Sequence, residues 1–89
     1  MKKQWYVYIL LCKNGKLYTG VTSDLDRRFK LHASGGGSKA VRAFGGVDKY
    51  IYSKTANNLG EALRMEHAIK KLDVGSKFGL ACGIGGMKN

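Results

Sequence analysis

Tyr6-Val7-Tyr8-Ile9-Leu10-Leu11-Cys12-Lys13-Asn14-Gly15-Lys16-Leu17-Tyr18-Thr19-Gly20-Val21-Thr22 is the stretch whose reading decides the fold. From Trp5 to Cys12 the residues are aromatic, β-branched or leucine, apart from the final cysteine, which is the composition of a strand covered on both faces. Lys13-Asn14-Gly15-Lys16 is a turn signal, because asparagine and glycine tolerate the positive φ of a tight hairpin. Leu17 to Thr22 returns as a second, antiparallel strand. Side chains alternate faces along a strand, so the turn decides which residues work together. A two-residue turn pairs Lys13 with Lys16 and leaves Tyr18 opposite Leu11, on the face away from Tyr8. A three-residue turn with a bulge at Gly15 pairs Cys12 with Lys16. Tyr18 then stands opposite Leu10 and Tyr8 opposite Gly20, all on one face. A joint role for the tyrosines requires the bulged register, and Gly20 then leaves space beside Tyr8 for a ligand.

Working outward, Thr22-Ser23-Asp24 offers helix N-cap residues, with Ser23 and Asp26 spaced as a weak capping box. A helix is expected from Leu25 to Ala33, broken by Ser34-Gly35-Gly36-Gly37-Ser38. Lys39 to Phe44 reads as a short helix or an ordered loop, and Gly45-Gly46 as another break. Val47 to Lys54 reads as a third strand, and Asn57-Asn58 as a turn. Leu59 to Leu72 is the longest helix, with Leu59, Ala62, Leu63, Met65, Ile69 and Leu72 at helical spacing. Phe78 to Ala81 is expected to dock as a short helix. The fold class is α+β: a small antiparallel sheet with helices. Residues 1–82 are expected to form one domain, and 83–89 a flexible glycine-rich tail.

The chain of 89 residues fits one small domain. Its 16 Lys and Arg against 6 Asp and Glu give a charge of +10, which repels itself in a compact state and points to a polyanionic partner. Cys12 and Cys82 lie far apart without metal-ligand spacing, which favours a reducing, cytoplasmic setting over a disulfide scaffold. Met1-Lys2-Lys3 and the apolar run after it resemble a signal peptide, but the run is short, tyrosine-rich and ends in a turn. No segment is long enough to cross a membrane as a helix.

Four residues outside the hairpin carry chemistry. Arg28 and His32 lie one helical turn apart and project from one face, whose helix starts just after the Tyr18 strand. Arg28 can grip a phosphate through its planar fork. Arg27 is better read as a solvated side chain. His32 can exchange a proton near neutral pH; alternatively it caps carbonyls at the helix end. Glu66 falls within the apolar stripe of the last long helix, where a carboxylate is costly unless paired or metal-bound. The alternative is a border glutamate paired with a lysine. His67 points elsewhere, to the surface. The Gly35-Gly36-Gly37-Ser38-Lys39 run lacks phosphate-loop spacing, and its lysine is expected to touch backbone phosphate.

Together these residues resemble the GIY-YIG nuclease superfamily, and within it the small single-domain UPF0213 branch. Tyr6-Val7-Tyr8 stands where the family has GIY, and Tyr18-Thr19-Gly20 where it has YIG. Arg28 and His32 fall at its arginine and the following histidine or tyrosine. Glu61-Ala62-Leu63-Arg64-Met65-Glu66 looks like its metal-binding helix. Tyr6 replaces a glycine of the pattern and Thr19 an isoleucine. The resemblance implies a three-stranded antiparallel sheet flanked by helices. It also implies hydrolysis of a DNA phosphodiester with one divalent metal, Mg²⁺ or Mn²⁺. Tyr18 or Tyr8 would help deprotonate the attacking water with His32 nearby. Arg28 would stabilise the developing charge and Glu66 would hold the metal. A tyrosine of ordinary pKa, about 10, is a poor base at neutral pH, so a metal, cation or histidine is expected to depress it.

The expected function is therefore a metal-dependent DNA endonuclease related to repair or recombination, with Tyr8, Tyr18, Arg28 and His32 catalytic, Glu66 on the metal, and Gly20, Lys39 and Arg42 against nucleic acid. RNA is the other polynucleotide this chemistry admits, and a targeting protein is an expected partner. The alternatives are a non-catalytic nucleic-acid-binding module and a partner-dependent nuclease subunit.

Overall fold

The hairpin turns on Gly15, whose φ of +87° only glycine adopts freely. Gly15 N–H donates to the Cys12 carbonyl at 2.9 Å and Cys12 N–H to the Lys16 carbonyl at 2.8 Å, so the turn is the bulged form. Leu10 pairs with Tyr18 and Tyr8 with Gly20, the register that gathers both tyrosines on one face.

The computed structural model describes residues 4–81. In chain order they form β1 (Trp5–Cys12), β2 (Leu17–Thr22), α1 (Leu25–Ala33), α2 (Lys39–Ala43), β3 (Val47–Ala56), α3 (Leu59–Lys70) and α4 (Val74–Ala81). The glycine-rich tail expected at 83–89, and Cys82, lie outside the described residues.

The sheet runs β2-β1-β3, all antiparallel. Central placement explains why β1 is apolar on both faces. One face carries Val7 and Ile9 against Ala62 and Ile69 of α3 and Ala56 of β3. The other carries Tyr8, Leu10 and Cys12 against Val41 of α2, with Leu25 and Phe29 of α1 packed alongside. Burying each large aliphatic of β1 contributes roughly 1.5–3 kcal/mol, so β1 is the spine of both layers.

The helix caps follow from local hydrogen bonds. Asp24 N–H donates to Thr22 Oγ1 at 3.0 Å, which turns the chain out of β2 and delivers Asp24, not Ser23, to the cap position. The Asp24 carboxylate then accepts from Arg27 N–H at 3.1 Å, replacing the expected Ser23–Asp26 box. Ser38 caps α2 through the N–H groups of Ala40 and Val41, which settles the Lys39–Phe44 segment as a helix with Phe44 as its C-cap. β3 runs to Ala56 because Trp5 pairs with it.

The apolar stripe of α3 is narrower than its spacing predicts. Ala62 and Ile69 are buried, Met65 is half-buried, and Leu59, Leu63 and Leu72 are exposed. Helical spacing specifies a shared side of the helix; only the sheet beneath determines how wide a contact it makes. Among the described residues no helix is long and apolar enough to cross a membrane.

Candidate active site

Tyr8 projects from the middle of β1 and Tyr18 from β2, one diagonal step away, with ring centroids 6.4 Å apart. The α1 helix crosses this face and inserts His32, whose ring lies 5.8 Å from Tyr8 and 5.7 Å from Tyr18. The Tyr8 hydroxyl and His32 Nε2 are 3.0 Å apart, a buried hydrogen bond. Tyr8 has no exposed surface and His32 only 2%. Phe29 meets Tyr8 edge-on at 5.7 Å and closes the aromatic box. His32 is not a helix cap: the Lys30 and His32 carbonyls accept the backbone N–H groups of Ser34 and Gly35, while its ring points inward.

Burial sets the electrostatics. It pushes the Tyr8 phenol up to about 12, and neighbouring Tyr18 adds to the rise. Arg28 opposes the rise by charge and by hydrogen bonding to the phenol, and Glu66 adds a smaller upward push. The expected depression of a tyrosine pKa is therefore reversed at Tyr8, because loss of hydration outweighs the guanidinium. His32 is pushed below its ordinary value, first by burial and then by Arg28. At neutral pH the pair is a neutral phenol against a neutral imidazole. A proton arriving at Tyr8 has a receiver in place on the histidine.

Gly20 has a different job from the one its position predicts. A Cβ there would collide with the Tyr8 hydroxyl and stand 2.5 Å from its Cζ and 3.0 Å from Tyr18 Cε2. The space beside β2 is filled by the Tyr8 phenol itself, not kept open for a ligand.

Glu66 lies at the border of α3 rather than inside the core. Its carboxylate pairs with Lys70 Nζ at 3.3 Å, and 22% of its side chain is exposed. Its charge nonetheless reaches the Tyr8 phenol. Among the described residues no three His, Cys, Asp or Glu side chains gather within metal-binding range. A lone hard carboxylate fits Mg²⁺ or Mn²⁺ better than a metal needing a protein cage, since Mg²⁺ is held through one or two carboxylates with water and substrate phosphate.

The sequence matches the family described as the GIY-YIG catalytic domain over residues 4–75. The chain belongs to the GIY-YIG family. Its relatives include UPF0213 proteins. One from Cronobacter sakazakii is 40% identical over 81 residues, covering 91% of this chain and 84% of that one. The UPF0213 protein YhbQ of Escherichia coli is 40% identical over 68 residues, or 76% of this chain and 67% of its own. The solution NMR structure of a UPF0213 protein from Bacillus halodurans is 42% identical, covers 93% of this chain and 87% of that one, and superposes with a TM-score of 0.56. The three-stranded antiparallel sheet with its helices is thus the fold of this GIY-YIG group.

In this GIY-YIG domain Tyr8, Tyr18 and His32 come together, Arg28 lies near enough for its charge to act on Tyr8 and His32, and the Glu66 charge reaches Tyr8 from α3. Lys39 and Arg42 do not join them: both are exposed on α2, whose Val41 faces the core. Arg27 and His67 are exposed, as their spacing predicts. Phe29 went unpredicted as a wall of the site. Its position three residues before His32 on α1 is the signal that places it on the same face.

Proposed function

We propose that this chain is a divalent-metal-dependent endonuclease that hydrolyses DNA phosphodiester bonds, serving repair or recombination in the cytoplasm with a targeting protein as partner. The buried Tyr8–His32 hydrogen bond carries the reading. An exposed tyrosine of a mere binding surface needs no proton receiver, whereas a water-activating tyrosine does. In the proposed step, water oxygen attacks phosphorus. The half-buried Tyr18 meets the water, whose proton is relayed to the buried Tyr8–His32 pair and ends on His32 Nε2, and the bond from phosphorus to the leaving oxygen breaks. Arg28 offsets the charge that develops on the phosphoryl oxygens and favours any anionic character at Tyr8. Tyr18, beside both rings, orients the water. Glu66 would hold Mg²⁺ or Mn²⁺, which when bound supplies Lewis-acid stabilisation of the leaving oxygen. The net charge of +10 attracts the polyanion.

A second reading, a nucleic-acid-binding module without turnover, draws on the pairing of Glu66 with Lys70. Cleavage of labelled linear, nicked and branched DNA with Mg²⁺ or Mn²⁺ tests the choice, with Glu66→Ala and Arg28→Ala beside the wild type. Metal-dependent cutting lost in both folded variants supports the nuclease. Salt-sensitive binding with no cutting by the wild type supports the module.

A further inference from the structure

We propose that Gly37 is a positioning residue for His32: the backbone of the loop after α1 holds the imidazole against Tyr8, in place of the hydrogen bond that usually fixes such a ring. A histidine in a working site is normally oriented through its second nitrogen, which bonds a carbonyl or carboxylate. His32 Nε2 faces Tyr8, yet its Nδ1 is buried without a hydrogen-bond partner among the described residues. What lies against that edge is Gly37. A Cβ at Gly37 would stand 2.9 Å from Nδ1, 3.0 Å from Cε1 and 3.5 Å from Cγ of the His32 ring. The 2.9 Å approach is closer than real Cβ atoms come, and the 3.0 Å one is tight, so with any larger residue the ring or the loop must shift. Any shift of the ring comes at the cost of its contact with Tyr8. Its other side meets Tyr8 and Tyr18, and only 2% of it reaches solvent.

The loop is tied to the helix that carries His32, so the contact is not incidental. Gly35 N–H donates to the His32 carbonyl at 3.2 Å, Gly36 N–H to the Leu31 carbonyl at 2.7 Å, and Ser38 N–H to the Gly36 carbonyl at 3.1 Å. These bonds fix the loop backbone relative to the imidazole. Gly37 adopts φ +87°, which brings its bare Cα edge to the ring.

Gly35 supplies a matched control. It adopts φ +91° in the same loop, but a Cβ there meets nothing within 4 Å. Alanine at either position introduces the same kind of backbone strain; only at 37 does it press on His32. The role in turnover rests on the nuclease reading above, whereas the role in holding the ring does not.

The test compares Gly37→Ala with Gly35→Ala by nitrogen–proton correlation of the His32 ring and by metal-dependent DNA cleavage. Gly37→Ala is expected to shift the His32 ring signals and lower kcat at least tenfold with KM held, while Gly35→Ala keeps both near wild type. Wild-type ring signals in Gly37→Ala, or equal changes in the two variants, would overturn the proposal. If the wild type cleaves no DNA, the nuclease reading falls and the ring signals still decide this one. Should Gly37→Ala fail to fold, the same change is made in a His32→Ala background. Folding restored there supports a clash with the ring; failure there too, with Gly35→Ala folded, refutes it.

Discussion

The Tyr8 hydroxyl lies 3.0 Å from His32 Nε2, joining residues separated by 24 positions in the chain. Two local features make the meeting. The bulge at Gly15 sets the register that puts Tyr8 and Tyr18 on one face. The Asp24 cap then starts α1, the helix that carries His32 onto that face. The bond is formed where water is excluded, so it couples the two groups more strongly than an exposed contact would.

Arg28 acts on both members of this pair, and its removal separates the effects. It lowers the Tyr8 pKa by charge and hydrogen bonding, and lowers that of His32 by charge. Arg28→Gln is therefore expected to raise both: Tyr8 beyond its value of about 12, and His32 back toward 6.5. NMR titration of the two rings reads this directly, and a fall in either value sinks the assignment. Cleavage is expected to drop by about a hundredfold or more, the scale of losing one preorganised charge stabiliser.

Gly20→Ala tests the packing of the site. The added methyl must displace a phenol that has no exposed surface and stands 2.5 Å away at Cζ. Overpacking of this kind costs about 1–3 kcal/mol. Thermal unfolding is expected to show that loss, with the Tyr8–His32 signals perturbed. A variant as stable as wild type with an unshifted Tyr8 would restore the view of Gly20 as ligand space.

Much of this site is legible in the sequence, for reasons that can be stated. The Asn14-Gly15 turn and the alternation around it limit the hairpin to two registers, and only one lets the tyrosines cooperate. The spacing of Arg28 and His32 fixes a common helix face. Gly20 was harder, because its neighbour across the sheet belongs to the core and no spacing rule says how far a phenol leans. Glu66 shares its helical side with Ala62 and Ile69, but spacing does not set the rotation of α3 on the sheet, so the sequence leaves open the choice between an inward carboxylate and the lysine-paired border glutamate that the fold holds. Gly37 left no periodic signal at all, since its role lies in a missing side chain.

Burial of Tyr8 predicts a pH dependence with a definite sign. Its folded pKa, about 12, exceeds the ordinary 10.0, so the folded state holds the phenolic proton longer. The resulting stability is fully present below pH 10 and is lost as pH rises through about 12, because the unfolded chain ionises first. Tyr8→Phe has no such proton. Denaturant unfolding across that window is expected to show wild-type stability falling relative to Tyr8→Phe. Parallel curves would mean that Tyr8 is hydrated.

The Glu66–Lys70 contact would make the proposed metal site adjustable. The pair lies at the surface, with 55% of the Lys70 side chain exposed, so it adds little to stability. Lys70→Ala is expected to leave unfolding nearly unchanged and to tighten Mn²⁺ binding, since the carboxylate loses a competing cation. Glu66→Gln is expected to abolish that binding. Calorimetric titration with Mn²⁺ checks both, and unchanged affinity in Glu66→Gln would remove Glu66 from the metal.

Thr19 separates the chemistry of the hairpin from its support. It follows Tyr18 on β2 and pairs with Ile9, so it faces α3 rather than the tyrosine pocket. Only 3% of it is exposed, and its Oγ1 has no hydrogen-bond partner among the described residues. An unsatisfied buried hydroxyl costs about 1–3 kcal/mol, and valine has nearly the same shape without it. Thr19→Val is therefore expected to stabilise the fold by about 1 kcal/mol, which raises Tm by roughly 4–8 °C in a domain of this size. Cleavage is expected to stay at the wild-type level, because the substitution lies on the opposite face of the sheet from Tyr8 and His32. A stabilised variant with lost activity would show that the far face controls the tyrosine register, and that the two layers are not independent.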